Sequence, residues 1–552
     1  MIKGYCRARC PSMGFLFFRQ MIRNRVELDC GSFVSALKVC GQFAGKAVRM
    51  AVHSVIWKLG FGSELLVQNG LIQYYVETGC IGFARQVFDE SSVKDVVTWT
   101  TMINGYTTNN CLDEAIMLFD LMLSSNVEPN EVTMIALLSA CSQKGDYVMG
   151  RSLHELIKRK NISSSVNLVN TMLDMYVKCG CLVTAREIFD NMERRDVFSW
   201  TSLLNGLAKN GDLVAARKVF DEMPERNIVS WNAMIAGYSQ NSQPMEALKL
   251  FHNMVDVVGL VPTEDTLVCV LSSCGQLGCL EMGKWIHDNH VNKMGIQLSL
   301  ILNNAVMDMY AKCGSIDAAA KLFHSIPEKN LVSWNTMISA YASHGHAKRA
   351  LTLFDQMKRS GLKPDHITFV GVLSACSYGG FVLKGREHFG SMENTFGVEP
   401  KREHYACMVD LFSRVGLLKE AYELISKMPM KASEGAWGAL LDACRKQGNV
   451  EMAKLAAGKL LELDPEDSGI YTLLANICAD GKRWNDVRMV RRMMRERGVK
   501  KVPGHSLIEV GGTFHEFLVA DNSHPHSLEV YRVVNELLLL SSLIDLEPLE
   551  ND

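Results

Sequence analysis

Residues 331–365 read LVSWNTMISAYASHGHAKRALTLFDQMKRSGLKPD, and this stretch decides the fold. Trp334, Met337, Ile338 and Tyr341 are spaced i, i+3, i+4, i+7, which is one face of a helix. The break SHGH follows, and its glycine ends that helix. Ala350, Phe354 and Met357 then mark the apolar stripe of a second helix, which GLKPD terminates. The stretch is an antiparallel helix pair whose apolar faces only a neighbouring pair can cover.

Such neighbours fill the chain. VVTWTTMINGYTT from Val96 and IVSWNAMIAGYSQ from Ile228 align with LVSWNTMISAYAS, and the three units differ in length by a single residue. Each runs on through an Ala, a Phe and a Met (Ala115, Phe119, Met122; Ala247, Phe251, Met254; Ala350, Phe354, Met357) to Pro plus one residue. Between them lie two other kinds of unit. One is of 35 or 36 residues, with L-x-x-C followed by an MG or KG turn, at 30–64, 131–165, 264–299 and 366–401. The other is of 31 residues, at 65–95, 166–196, 197–227 and 300–330, typified by NTMLDMYVKCG and NAVMDMYAKCG. They tile without linkers. A fixed period of this size is the mark of a solenoid.

Composition agrees with a helical array and removes several function classes. The 552 residues are 48% apolar and 21% charged, with only 13 prolines and 30 methionines. Net charge is −2, which argues against a non-specific polyanion binder. None of the 17 cysteines forms a CxxC pair, so zinc ribbons and thioredoxin-like redox sites are not expected. Cys40, Cys141, Cys274 and Cys376, each in L-x-x-C, read as small buried hydrophobes. The richest apolar run, ELLLLSSLIDL, is too short for a membrane span and carries charge, so no membrane partner is expected. Its leucines are expected to pack on the last repeat, with partner docking as the alternative.

The 35/35/31 rhythm, with these residues, resembles the plant pentatricopeptide-repeat family in its P-L-S subclass. The resemblance spans nearly the whole chain. REHYACMVDLFSRVG at 402–416 is similar to the terminal S-type repeat. GAWGALLDACRKQGNVEMA (435–453) and YTLLANICADGKRWNDV (471–487) are similar to the two E motifs, and VPGHSLIEVGGTFHEFLVADNSHPHS (502–527) to the E+ stretch. HSLIEV departs from the family at His505 and Leu507, where Cys and Trp are usual. The resemblance implies an all-α fold, a right-handed superhelical solenoid of antiparallel helix-turn-helix repeats. It divides the chain into a partial repeat at 1–29, an array at 30–433, E1 and E2 motifs at 434–501 and an E+ like extension at 502–552. Within the array the units are 30–64, 65–95, 96–130, 131–165, 166–196, 197–227, 228–263, 264–299, 300–330, 331–365, 366–401 and 402–433.

The resemblance also implies single-stranded RNA as the partner, each base being read by the fifth and the last residue of one unit. Those places hold Asn69/Asp95, Thr100/Asn130, Asn170/Asp196, Thr201/Asn227, Asn232/Thr263, Asn304/Asn330 and Asn335/Asp365. The residues themselves support the assignment, since a core place would be apolar and a plain surface place would scatter into Lys and Glu. Helix capping is the competing reading, stronger for the last residue than for the fifth. Val34, Ile135, Val268 and Val370 occupy the fifth place of the L-x-x-C units and cannot hydrogen-bond a base edge. By the family's code the array from Leu65 implies U-A-n-U-A-Y-n-Y-U, n marking units that do not specify.

A zinc deaminase needs His-x-Glu and CxxC, and neither is present. The chain is therefore expected not to be an enzyme and to need no cofactor or metal. The function implied is site recognition for organellar C-to-U RNA editing, with a cytidine deaminase and other editing factors recruited in trans. An organellar factor for splicing, stability or translation is the alternative, and a protein-only scaffold a second one. The segment 482–501, KRWNDVRMVRRMMRERGVKK, is either a solvated helix face or a docking face for RNA or an acidic partner. Laid on the 35-residue unit, Met1 falls at the seventh place and Asp29 at the last. Further repeats and an organelle transit peptide, mitochondrial in preference to chloroplast, are expected upstream.

Overall fold

The computed structural model describes residues 2, 4, 11–24, 26–43, 46–162, 165–292, 299–501, 504–510, 513–518 and 523–544. Contacts divide the chain into two compact bodies, Met1–Asn241 and Ser242–Asp552. Each is a helical-repeat solenoid. The first helices of the first body are Cys30–Phe43, Leu65–Glu77, Val96–Thr108, Glu131–Lys144, Val166–Lys178, Val197–Lys209 and Ile228–Gln240. In the second they start at Glu264, Leu300, Leu331, His366, Arg402, Glu434 and Ser468. Within each body a first helix packs on its own second helix and on the first helix of the next unit. This is how apolar faces that no single pair can cover become buried.

The unequal unit lengths fall almost wholly on the second helices. In 31-residue units the second helix has 9 or 10 residues, as in Leu182–Asp190 and Ile316–Ser325. In the units from Val96 and Leu331 it has 13, Leu112–Ser124 and Ala347–Arg359. The difference is about one turn. First helices stay at 13 or 14 residues, so the row they form keeps its pitch. In two of the three 36-residue units, 228–263 and 264–299, the second helix passes into π geometry at Asn253–Val257 and His287–Val291, whereas in 366–401 it is α throughout, Val382–Phe396. A π turn takes up one extra residue while the surrounding helix continues.

Junctions between units repeat a few devices. Phe88, Phe189, Phe220 and Phe323 meet Trp99, Trp200, Trp231 and Trp334 edge to face, with centroids 4.8–5.1 Å apart. Each joins the second helix of a 31-residue unit to the first helix of the next. His53, His154 and His287 bond through Nδ1 to the hydroxyls of Tyr75, Tyr176 and Tyr310 at 2.7, 2.8 and 3.0 Å. Burial holds all three imidazoles below their ordinary pKa. The L-x-x-C cysteines are fully buried, and desolvation pushes the Cys40 and Cys141 thiols up to about 12.

Two expectations are corrected. The MG and KG dipeptides are not turns: Gly150, Gly283 and Gly385 lie inside second helices. A Cβ there would run into Met175, Met309 and Leu411, side chains of the next unit's first helix, which approaches that closely. The fold is the expected all-α repeat solenoid, to which the C-terminal extension adds one antiparallel hairpin, His505–Val510 paired with Thr513–Leu518. The two runs carry β-branched and aromatic residues, Ile508, Val510, Thr513, Phe514 and Phe517, and Gly511-Gly512 lies between them in sequence. Finally, the tail helix Ser527–Ile544 leaves Leu537, Leu538 and Leu539 59–65% exposed, so these leucines of ELLLLSSLIDL are not buried against the last repeat. Among the described residues no helix is long and apolar enough to cross a membrane.

Candidate nucleic-acid interface

The last residue of a unit is the N-cap of the next first helix. Asp95, Asn130, Asp196, Asn227, Thr263, Asn330 and Asp365 all sit in extended backbone and accept the backbone N–H three residues on, at 2.8–3.4 Å. That third place carries a hydroxyl in all seven: Thr98, Thr133, Ser199, Ser230, Thr266, Ser333 and Thr368, each fully buried. Capping, set against readout in the sequence, is therefore real at the last place. It does not use up the side chain. In Asp95 and Asp365 every capping bond falls on Oδ1.

The fifth residue of the preceding first helix reaches the same cap. Asn170 Nδ2 donates to both Asp196 oxygens at 3.1 Å, and Asn335 Nδ2 donates to Asp365 Oδ1 at 3.0 Å. Asn69 Nδ2 reaches Asp95 Oδ1 and Asn304 Nδ2 reaches Asn330 Oδ1, both at 3.3 Å. Asn170 and Asp196 are 26 residues apart in sequence, Asn335 and Asp365 are 30. The contact is the same because the missing turn comes from the second helix. Thr100 joins through a bridge: its hydroxyl lies 2.8 Å from that of Thr133, which bonds Asn130 Oδ1 at 2.9 Å. Thr201 instead donates back to Val197 O at 2.8 Å, and no bond links it to Asn227. Asn232 is half-buried on its first helix, and Thr263 makes a capping box with Thr266.

Electrostatics fix these carboxylates in one state. Burial pushes Asp95, Asp196 and Asp365 upward, but the hydroxyl, the cap N–H and the Asn amide outweigh it and hold each below its ordinary pKa. They are anions at neutral pH. In the L-x-x-C units the fifth places, Val34, Ile135, Val268 and Val370, are half-buried aliphatics with no polar group to offer.

A stripe that the sequence left unremarked runs beside the pairs. Leu66, Val97, Val132, Phe198, Val229, Ile301, Val332 and Ile367, at the second place of their units, are 49–65% exposed. Second and fifth places are i, i+3 neighbours on one helix face. Each polar pair is thus flanked by bare apolar surface, which offers a flat ring both edge hydrogen bonds and face contact. The signal was an apolar residue recurring two places after most caps, indistinguishable in sequence from core.

In the basic segment, Arg483 pairs with Glu451 and Asp486, and Lys454 with Asp486, at 2.6–2.8 Å. Arg488, Arg491 and Arg492 are exposed along Trp484–Glu496 and have no ion-pair partner among the described residues. No group of three or more His, Cys, Asp or Glu among the described residues is placed to hold a metal.

Models of known families match along most of the chain. The PPR repeat family matches 94–143, 226–276 and 329–377, and the PPR repeat matches 1–26, 132–162, 168–197, 198–228, 304–331 and 403–431. An E motif matches 447–509, beginning later than the 434 expected from sequence and running into the hairpin. A mitochondrial pentatricopeptide repeat-containing protein of Arabidopsis thaliana is 43% identical over 96% of this chain and 78% of its own length. A chloroplastic one from the same plant is 35% identical over 97% of this chain and 58% of its own. The crystal structure of the maize pentatricopeptide repeat protein PPR10 shares the fold at TM-score 0.51 and 20% identity, covering 91% of this chain and 74% of PPR10. Its complex with an 18-nucleotide psaJ RNA element aligns at TM-score 0.58 and 17% identity, over 90% and 83%. By these matches the chain belongs to the pentatricopeptide repeat family, and its E motif fits the E subgroup.

Proposed function

We propose that the protein is an organellar, sequence-specific single-stranded RNA-binding factor that selects a site for C-to-U editing. The observation that carries the RNA reading is the recurrent pair: a fifth residue meets a last residue beside exposed apolar surface directly in four units, and through a bridging hydroxyl in a fifth. Each well-made base contact contributes about 1–3 kcal/mol of discrimination. Units led by Val34, Ile135, Val268 and Val370 space the strand without specifying it. The E motif favours editing among the organellar RNA roles. In this reading the chemistry falls to a cytidine deaminase recruited in trans, and these 552 residues supply the recognition. Mitochondrial and chloroplastic relatives both support an organellar site of action.

Two measurements test this. In a gel shift with a synthetic RNA of the implied sequence, changing the base opposite Asn335/Asp365 from U to G weakens binding, and Asn335→Thr moves preference toward G. Unchanged binding in both removes the readout assignment. In organelle transcripts of plants lacking the protein, one C-to-U event is lost while splicing stays intact. An unspliced intron with unchanged editing points to the splicing alternative instead.

A further inference from the structure

Three of the polar pairs are tied together by a third group that belongs to the next unit. The Thr368 hydroxyl lies 2.6 Å from Asn335 Oδ1 and 2.8 Å from Asp365 Oδ1. Ser199 lies 2.7 Å from Asn170 Oδ1 and 2.8 Å from Asp196 Oδ1. Thr133 bridges Thr100 and Asn130 in the same way. Elsewhere the bridge is open. Ser333 bonds Asn330 Oδ1 at 3.0 Å, and Asn304 Oδ1 is left buried with no hydrogen-bond partner. Thr98 bonds Asp95 at 2.7 Å, and Asn69 Oδ1 is orphaned likewise.

Chemistry dictates which way a closed site points. A carboxylate only accepts, so the Asn amide must turn its N–H₂ toward Asp365, and its carbonyl then needs a donor. The buried Thr368 hydroxyl is that donor: its single proton lies between the Asn335 carbonyl at 2.6 Å and the Asp365 carboxylate at 2.8 Å and is shared by the two, the carbonyl being the nearer. The amide is left with one spare N–H and one spare lone pair in a fixed order. At position 4 of the ring uracil carries a carbonyl, as thymine does, where cytosine carries an N–H₂ donor, so an amide that cannot flip separates the two pyrimidines. Where the hydroxyl does not hold the carbonyl, a flip forfeits less.

We propose that the hydroxyl at the third place of the following unit, Thr368 for Asn335/Asp365 and Ser199 for Asn170/Asp196, is a positioning residue that fixes the reading amide and makes the site prefer U over C. This deepens the base-reading assignment above and rests on it.

The test uses the full chain and four RNAs differing only in the base opposite Asn335/Asp365. Thr368→Val removes the hydroxyl and keeps the shape. It lowers the U-to-C affinity ratio about fivefold, the worth of one ordinary hydrogen bond, mainly by admitting C, and leaves pyrimidine over purine intact. Thr368→Ser restores the ratio. Ser333→Ala, at the open site Asn304/Asn330, leaves the U-to-C ratio of a second RNA pair, varied only opposite that site, within about twofold. A hydroxyl that only caps the helix would instead weaken all four RNAs alike. That result, or an unchanged ratio in Thr368→Val beside a lost preference in Asn335→Ala, overturns the positioning role alone. An unchanged preference in Asn335→Ala overturns the base-reading assignment and this role with it.

Discussion

Truncating Phe189 tests whether the edge-to-face junctions hold the array in register. Phe189 is 1% exposed and packs on Trp200 at 4.8 Å, with Arg195 4.7 Å over its face. Phe189→Ala removes a buried ring and leaves a cavity, costing about 3–5 kcal/mol. Within that figure the ring pair accounts for about 0.5–1.5 kcal/mol and the cation over the ring for about 0.5–1 kcal/mol. Phe189→Leu keeps most of the volume and forfeits about 1–2 kcal/mol. Val183→Ala is the control: it sits on the same helix, Leu182–Asp190, at 76% exposure, and its effect stays within about 0.5 kcal/mol. Urea unfolding measures the total, and hydrogen exchange locates it. Because stability in a solenoid is a sum of nearest-neighbour terms, protection falls first across 166–227, and the bases opposite Asn170/Asp196 and Thr201 lose affinity together. A Phe189→Ala effect no larger than that of Val183→Ala, or a loss spread evenly over the first body, refutes the reasoning.

Two further predictions concern the packing. The imidazoles of His53, His154 and His287 are held below their ordinary 6.5 by burial. The unfolded chain therefore takes up protons first, and stability present above about pH 6.5 is lost as the pH falls toward the folded values, by up to about 1.4 kcal/mol per pH unit for each group. Thermal melts at a series of pH values show this slope, and His154→Phe makes it shallower; an identical slope in the variant rules His154 out. Deleting Val257 from the π turn of the unit at 228–263 restores α geometry and changes stability by less than about 0.5 kcal/mol. Deleting Lys348 from the 35-residue unit, where no residue is spare, costs several times as much, and equal effects in urea melts would show the π turn is not a spare residue.

Much of this architecture is legible in the sequence because the signals are periodic. The W-x-x-M-I faces announce the first helices, and the Ala, Phe, Met stripe the second. What periodicity misses is local. The π turns replace one missing α register with an extra residue, which a one-residue gap in an alignment cannot distinguish from a longer loop. Gly150 and Gly283 look like turn formers and are contact sites, since only the approach of the next helix gives a missing Cβ its meaning. The hairpin after 504 lies beyond the last periodic helix, where each of its strands is only six residues long. At the candidate interface, the fifth and last places stand out as small polar residues among apolar ones. Their third partner does not, because Thr368 and Ser199 read as ordinary residues of a helix start. Burial and 2.6–2.8 Å bonds distinguish them, and those exist only once two units are stacked.

That each last residue is also an N-cap has a consequence for how such a protein changes its target. Asp, Asn, Ser and Thr are nearly equivalent caps, so exchanging one for another at Asp365 or Asn330 alters the group offered to a base while the helix start keeps its strength. Specificity can drift along this alphabet of four with little penalty in foldedness, whereas Glu64 and Lys401, the last residues of two L-x-x-C units, start their helices without a side-chain cap bond. The vocabulary of the last place is thus set by helix chemistry before any RNA is met, and new meanings are cheapest where the cap is already a small polar residue.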